Sequence, residues 1–474
     1  MAVQNSISLT DNIQADDPHQ VRKIVMLLAW PAITEMFLAT LVQFVDTAMV
    51  GSLGQVAIAA VGISTTPIWV LMSIFSALGV GSTALVARFV GAKDYDSANK
   101  VAQQAMNLAV ALALLFTALM FYNAEFVPRA MGAAEDVILA AALYLRIISG
   151  AFLFHLSAFI LSGVLRGAGD TRTPMKVNMY ANVINVAANF FLIFPSRVLD
   201  FSLPFSDTAL SLFIPGAGLG VAGAAIATAA SRTFAGGVIL YILFSGKRGI
   251  QLRLYFRYRW SLIRRILRIG IPTMGEHLTI SFGSMFFSII VLSLGTAQYA
   301  AHHLAIIAES ISFMPGFGFA MAATTLVGQG LGAGNPRLAQ AYGFSAWRLS
   351  ALVMGFMGVL LFLFPEYLIR IFNREPEIVA YGAMCLRLVA FAQIPFATTM
   401  VLNGGLRGAG DTLAPLAIAA IGVVFFRLGL AWILVNVFHL GLMGAWLAMV
   451  VDFWVRGVLS FLRFRSGRWQ KIQV

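Results

Sequence analysis

Apolar residues along this chain fall in long runs, not in the short alternations of strands or the one-sided stripes of water-soluble helices. Twelve runs stand out, at about 24–50, 57–87, 100–122, 137–165, 174–196, 218–245, 263–294, 298–331, 343–365, 379–406, 412–438 and 440–463. Each reaches the ~20 residues a helix needs to cross the hydrocarbon of a bilayer. Barrel strands would be ~10 residues long and alternating. In lipid, backbone groups must find partners within their own segment, so long runs of this kind predict helices. The expected fold is all-α and integral to the membrane, with twelve transmembrane helices. The longest runs exceed what an upright helix requires, so tilts or kinks are expected.

The pattern also repeats. Leu161-Ser-Gly-Val-Leu-Arg-Gly-Ala-Gly-Asp-Thr-Arg-Thr-Pro174 and Leu402-Asn-Gly-Gly-Leu-Arg-Gly-Ala-Gly-Asp-Thr-Leu-Ala-Pro415 agree at ten of fourteen positions, 241 residues apart. The same offset pairs Pro31 with Pro272, Glu35 with Glu276, Gly54 with Gly295, Gly91 with Gly332 and Arg146 with Arg387. Near the end of each half, Gly220-Val-Ala-Gly-Ala-Ala matches Gly441-Leu-Met-Gly-Ala-Trp at an offset of 221. The first half therefore carries about 20 extra residues, expected in an outer loop near 197–217. Six helices separate the copies, so both enter the membrane from one side. They are expected to form two pseudo-symmetric six-helix bundles related by an axis along the membrane normal.

Composition sharpens this picture. Hydrophobic residues make up 59% of the 474 and charged residues 11%, against roughly 25% charged in soluble domains. The formal charge of +12 does not point to nucleic acid here, because basic residues mark cytoplasmic loops of membrane proteins. Arg88, Lys93 and Lys100, then Arg166, Arg172 and Lys176, then Lys247, Arg248, Arg253, Arg257, Arg259, Arg264 and Arg265, and finally Arg463, Arg465, Arg468 and Lys471 all fall on one side. The other side holds mainly Arg129, Arg197, Arg370 and Arg374. A multi-pass protein of the plasma (inner) membrane with both termini cytoplasmic is expected. The polar start, with Asp11, Asp16 and Asp17, is not a signal peptide. The single cysteine, Cys385, excludes an intramolecular disulfide. The expected organisation is a cytoplasmic tail over 1–23, an N-lobe over 24–245, a basic linker over 246–262, a C-lobe over 263–463 and a second tail over 464–474.

On these residues the chain resembles the multidrug and toxic compound extrusion (MATE) family, in its bacterial NorM/DinF-like branches. The resemblance rests on Pro31 through Phe44-Val-Asp46-Thr-Ala-Met-Val-Gly-Ser-Leu-Gly54, on both Leu-Arg-Gly-Ala-Gly-Asp-Thr motifs, and on Gly223-Ala-Ala-Ile-Ala-Thr228. It implies a cation-coupled antiporter, driven by protons or sodium, that exports amphiphilic and often cationic compounds by alternating access. The superfamily also contains lipid-linked-precursor flippases.

Ionisable residues within apolar spans are costly and point to function. Asp46 stands in the first span as the candidate coupling group. A carboxylate in such a place exchanges a proton or holds a cation. In the fifth span, Asn178, Asn182, Asn185 and Asn189 share one helical face, and amide oxygens suit a hard cation. The resemblance implies that Asn185, Asn189 and Thr228 lie near Asp46, where they could hold a sodium ion. Glu35 precedes Asp46 by eleven residues, three turns plus ~20° and ~16 Å of rise, so both acids share a face. Glu35, its repeat mate Glu276, His155 and Glu309 are weaker candidates for substrate or proton handling. Asp452 is expected to pair with Arg427 or Arg456. In the two repeated motifs, Arg166, Gly167 and Asp170, with Arg407, Gly408 and Asp411, read as structural hinges between helices.

The chain has no phosphate loop, no metal-ligand cluster and no nucleophile–base set, so neither an enzyme nor an ATPase is expected. No cofactor is expected beyond the coupling ion. The expected partners are small-molecule substrates and the bilayer, and the expected state is a monomer. An antiporter is the leading reading. A flippase would need a strongly basic cavity, whereas the intramembrane ionisable residues read as mostly acidic. A channel or scaffold is the third reading. The coupling positions of the N-lobe lack polar mates in the C-lobe, where Asp46, Asn185 and Thr228 meet Phe287, Phe426 and Met449. Coupling is therefore expected in the N-lobe.

Overall fold

The computed structural model describes residues 17–202, 209–246, 249–253, 255 and 257–472, with backbone only at 197–202, 209–212 and 214. Asp11, Asp16, Lys247 and Arg248 lie outside the described residues, as does the Arg197 side chain.

Twelve helical spans run in sequence: α1 (Pro18–Gly51), α2 (Gln55–Gly91), α3 (Tyr95–Tyr122), α4 (Glu135–Gly150 and Phe152–Gly167), α5 (Arg172–Leu192), α6 (Gly220–Phe244), α7 (Trp260–Leu292), α8 (Thr296–Gly332), α9 (Pro336–Leu363), α10 (Pro376–Ala390 and Gln393–Gly408), α11 (Leu413–Asn436) and α12 (Gly441–Arg465). Among the described residues, nine are unbroken helices long and apolar enough to cross a membrane, and the two-part α4 and α10 bring the number to eleven. The remaining span, α5, carries Arg172, Lys176 and four asparagines. Three of those asparagines, Asn182, Asn185 and Asn189, are buried, so its polar face is turned inward. The helices form the two six-helix bundles expected from the repeat.

Three features differ from the expected pattern. First, α4 and α10 are each bent by 56° at a break near mid-span, so hydrophobic length alone did not reveal two segments. Second, the extra residues of the first half fall near 197–217, as expected, and form a hairpin. Pro195–Ser202 (β1) and Ala209–Ala217 (β2) pair antiparallel, with Val198 opposite Phe213 and Leu199 opposite Leu212. Third, α11 contains a π-helical stretch at Ile421–Gly429, in which each turn is wider than in an α-helix.

The first helix of each bundle leans on the other bundle. Near the chain termini, Val21, Val25, Leu28 and Ala29 of α1 pack with Phe319, Ala323 and Tyr342 of α8 and α9. Correspondingly, Ile266 and Ile269 of α7 join the core of the N-lobe. Helices α2 and α8 cross at the same end so closely that a Cβ on Gly91 would strike the Gln329 carbonyl, and one on Gly332 the Arg88 carbonyl. At the opposite end, Gly54 and Gly295 open α2 and α8 with φ of 106° and 111°, a conformation costly for any residue with a Cβ.

Hydrogen bonds lock the lobes together at the termini-bearing end. Gln329 Nε2 donates to the Gly167 carbonyl at 3.0 Å, and Thr325 Oγ to the Arg166 carbonyl at 3.1 Å. From the other lobe, Arg88 donates to the carbonyls of Ala409 at 3.4 Å and Ile472 at 3.0 Å. Arg88 and Gln329 occupy equivalent positions in the repeat, so the clasp is nearly symmetric.

Candidate functional site

The site is built on the contact between α1 and α5. Both helices run in the same direction, and both carry polar residues eleven apart on the facing side. Asn178 Nδ2 donates to Glu35 Oε1 at 2.7 Å, and Asn189 Nδ2 donates to Asp46 Oδ1 at 2.7 Å. Each pair is 143 residues apart in sequence. The equal spacings therefore make two rungs of one ladder, about three turns apart.

At the outer rung, away from the termini, Asp46 is half-buried while Asn185 and Asn189 are fully buried. The amide orientation of Asn185 is assigned from the surrounding network. With nitrogen toward Asp46, it donates to both carboxylate oxygens at 2.9 and 3.0 Å. The other end of the amide lies 3.3 Å from Thr228 Oγ on α6. Tyr144 of α4 approaches Thr228 and sits in the field of Asp46. Asp46, Asn185, Asn189 and Thr228 are thus adjacent. Among the described residues, Asn189 Oδ1 is buried without a partner. Among the described residues, Asp46 makes no ion pair, and no three His, Cys, Asp or Glu side chains converge as metal ligands.

At the inner rung, Glu35 Oε1 also accepts from Arg166 at 2.8 Å. The C-lobe repeats this contact, with Arg407 donating to Glu276 Oε2 at 3.0 Å. Arg166 and Arg407 therefore do more than mark hinges: each holds the acid that the repeat places on the first helix of its lobe. Gly167 and Gly408 allow close helix crossing, since a Cβ on either would meet the backbone of Thr83 or Thr324. Asp170 caps α5, accepting from Thr173 N at 2.9 Å and Thr173 Oγ at 2.6 Å. Its mate Asp411 instead accepts from Arg463 of α12 at 2.8 Å.

Between the two N-lobe rungs stands a residue that the sequence reading passed over. Arg232 of α6 lies one turn beyond Thr228, and its charge acts on Asp46, Glu35, Tyr144 and His155. Among the described residues it makes no hydrogen bond and no ion pair within 4 Å. An arginine inside an apolar helix is itself a functional signal, and that was the available clue. His155, half-buried on α4, lies in the field of this arginine.

The C-lobe fills the corresponding space differently. Phe287, the mate of Asp46, is buried and packs near His302, with ring centroids 5.6 Å apart. The mates of His155 and Arg232 are Phe396 and Phe453, which stack at 4.3 Å. Deeper in the same lobe, Asp452 binds both candidate arginines, Arg427 at 2.8 Å and Arg456 at 2.7 Å, in a buried triad. The expectation of a mostly acidic interior is therefore corrected: Arg232, Arg427 and Arg456 all lie within spans. Glu309 is buried, accepts from Gln393 at 3.4 Å and lies in the field of Arg427. It is remote in sequence and in lobe from Asp46, and no hydrogen bond links the two.

Comparison with known proteins agrees with this architecture. The MatE family profile matches residues 31–191 and 272–433, one match in each lobe. A probable multidrug resistance protein NorM of Thermotoga maritima is 36% identical over 457 residues, covering 95% of this chain and 94% of that protein. An uncharacterised transporter of Bacillus subtilis, YisQ, is 27% identical over 93% of this chain and 94% of its own length. Among solved structures, an outward-facing multidrug resistance MATE transporter superposes with a TM-score of 0.86 at 23% identity, covering 99% of both chains.

Proposed function

The chain belongs to the multidrug and toxic compound extrusion family of transporters, and from that premise we propose that it is a proton-coupled antiporter exporting small amphiphilic organic cations by alternating access. The observation that carries this reading is Asp46: a carboxylate within a span, held only by neutral amides. Such a group can gain and lose a proton without breaking an ion pair.

The asparagines give the proton a mechanical consequence. An ionised Asp46 is satisfied by amide nitrogens from Asn185 and Asn189. A protonated Asp46 has a hydroxyl to donate and needs an oxygen, so the Asn185 amide turns over and presents its carbonyl. Thr228 serves either orientation, because its hydroxyl both donates and accepts. Protonation thereby rewires α1 to α5 and α6 and changes the cavity wall that holds substrate. Sodium is the weaker alternative. Asn189 turns its nitrogen toward Asp46, and a cation needs oxygens there.

The clasp at the termini-bearing end supports a state closed on that side and open on the other. The positive-inside bias supports reading that closed side as cytoplasmic, with both termini in the cytoplasm and the plasma membrane as the location. The lipid-precursor flippase reading loses ground because Arg427 and Arg456 are occupied by Asp452.

Flux in proteoliposomes tests the coupling ion. An imposed pH gradient is expected to drive uphill movement of an organic cation with no sodium present. Movement driven only by a sodium gradient would overturn the proton reading, and ion current without solute coupling would overturn the antiporter.

A further inference from the structure

Arg232 is unusual among the intramembrane arginines described here. Arg166, Arg407, Arg427 and Arg456 each hold a carboxylate at 3.0 Å or less. Arg232 has no such partner among the described residues, yet it is partly buried on α6, one turn from Thr228. A guanidinium stays protonated in proteins, so this positive charge is permanent. The groups that face it are Asp46 and Glu35 from α1, and Tyr144 and His155 from α4. Helix α5 presents asparagines there, and the ionisable residues of α5 are Arg172, Lys176 and Tyr180, near its other end and on its outer surface. In α2 the only charged residue is Arg88, held in the clasp. Glu35 already has Arg166. Among the described residues, Asp46 is therefore the one carboxylate facing Arg232 that lacks an ion pair.

We propose that Arg232 is the electrostatic repeller of the N-lobe: it converts protonation of Asp46 into expulsion of a cationic substrate. With Asp46 ionised, the two charges offset each other and the cleft tolerates an organic cation. When Asp46 takes up a proton, the charge of Arg232 is uncompensated and the cation is driven out. The proton need not occupy the place of the substrate, so compounds of different shape are released by one device. The inference rests on the cation-for-proton exchange proposed above and adds a positioning residue to it. The C-lobe lacks the device, since Phe453 stands at the mate of Arg232.

The test is equilibrium binding of tetraphenylphosphonium, a permanent cation that does not titrate, to the purified full-length protein from mildly acidic to mildly alkaline pH. In the wild type, affinity is expected to fall at acidic pH by on the order of tenfold to a hundredfold, as a nearby unit charge at intermediate effective dielectric predicts. Arg232→Gln is expected to bind more tightly than the wild type at acidic pH, where the guanidinium is otherwise uncompensated, and Arg232→Lys to restore the weak binding there. Asp46→Asn alone is expected to bind weakly at every pH, and the Asp46→Asn/Arg232→Gln double variant to regain affinity without pH dependence. These arms also guard against misfolding, because a damaged protein would not regain binding on a second substitution. A wild-type affinity at acidic pH retained in Arg232→Gln overturns the repeller while leaving proton exchange at Asp46 standing. Loss of binding at every pH in Arg232→Gln also overturns it, making Arg232 an anchor for substrate. A wild type that fails to bind the cation at any pH overturns the substrate class and the repeller with it.

Discussion

Arg166 reaches back 131 residues to hold Glu35, and Arg407 reaches back the same 131 residues to hold Glu276. The repeat thus preserves an ion pair as well as a turn. Both pairs are largely buried, with side-chain exposures of 12% and 6% in the first and 16% and 5% in the second. Each ties the first helix of a lobe to the end of its fourth.

Breaking one partner of such a pair leaves the other charge buried and alone. Arg166→Gln and Arg407→Gln are each expected to destabilise the detergent-solubilised protein by about 3–5 kcal/mol. Removing both members of a pair, as in Glu35→Gln/Arg166→Gln, is expected to cost less than Arg166→Gln alone. Thermal unfolding of the parent, Glu35→Gln, Arg166→Gln and the double variant measures this, and simple additivity would mean that the pair carries no coupling.

The triad in the C-lobe predicts an asymmetry. Asp452 is shared by two arginines, so Asp452→Asn leaves two guanidiniums facing each other and is expected to lower stability by about 3–5 kcal/mol. Arg427→Met leaves the bidentate Arg456–Asp452 contact intact and is expected to cost less. Equal losses in the two variants, read by the same unfolding assay, would contradict a shared carboxylate.

The clasp between the lobes predicts a conformational effect. Gly91 and Gly332 permit the closest approach of α2 and α8. Gly332→Leu is expected to hold the lobes apart at the termini-bearing end and abolish transport, with expression preserved. Distance measurements between spin labels on Arg337 and Ser97 are expected to lengthen relative to the parent protein. The sole native cysteine is buried, so it interferes little with labelling. An unchanged distance would show that the crossing is not the closure.

Much of this fold is legible in the sequence because it is one-dimensional. Span length, the 241-residue repeat and the asparagine face of α5 each follow from counting along one segment. The two rungs are partly legible too, since Glu35 and Asp46 show the same eleven-residue spacing as Asn178 and Asn189. Matching those spacings requires knowing that α1 and α5 are parallel neighbours, which is tertiary information. The break in α4 falls at Ala151 among apolar residues and leaves no mark in the run, whereas that in α10 is marked only by Gln393 and Pro395 inside an otherwise apolar stretch. The hairpin leaves a faint mark in the apolar stretch Leu210-Ser-Leu-Phe-Ile214, which fits a strand as well as a loop. Arg232 was visible as an arginine within a span. Its meaning depends on facing Asp46 without pairing, which only the packing of α6 reveals.

The most direct test of the central claim is proton-driven export by Asp46→Asn in proteoliposomes. Asparagine keeps the shape of the side chain and its place beside Asn185 and Asn189 but cannot exchange a proton. The account predicts a protein that inserts and unfolds like the parent, yet moves no organic cation uphill under a pH gradient that drives the parent. Uphill export by Asp46→Asn at the parental rate would contradict it.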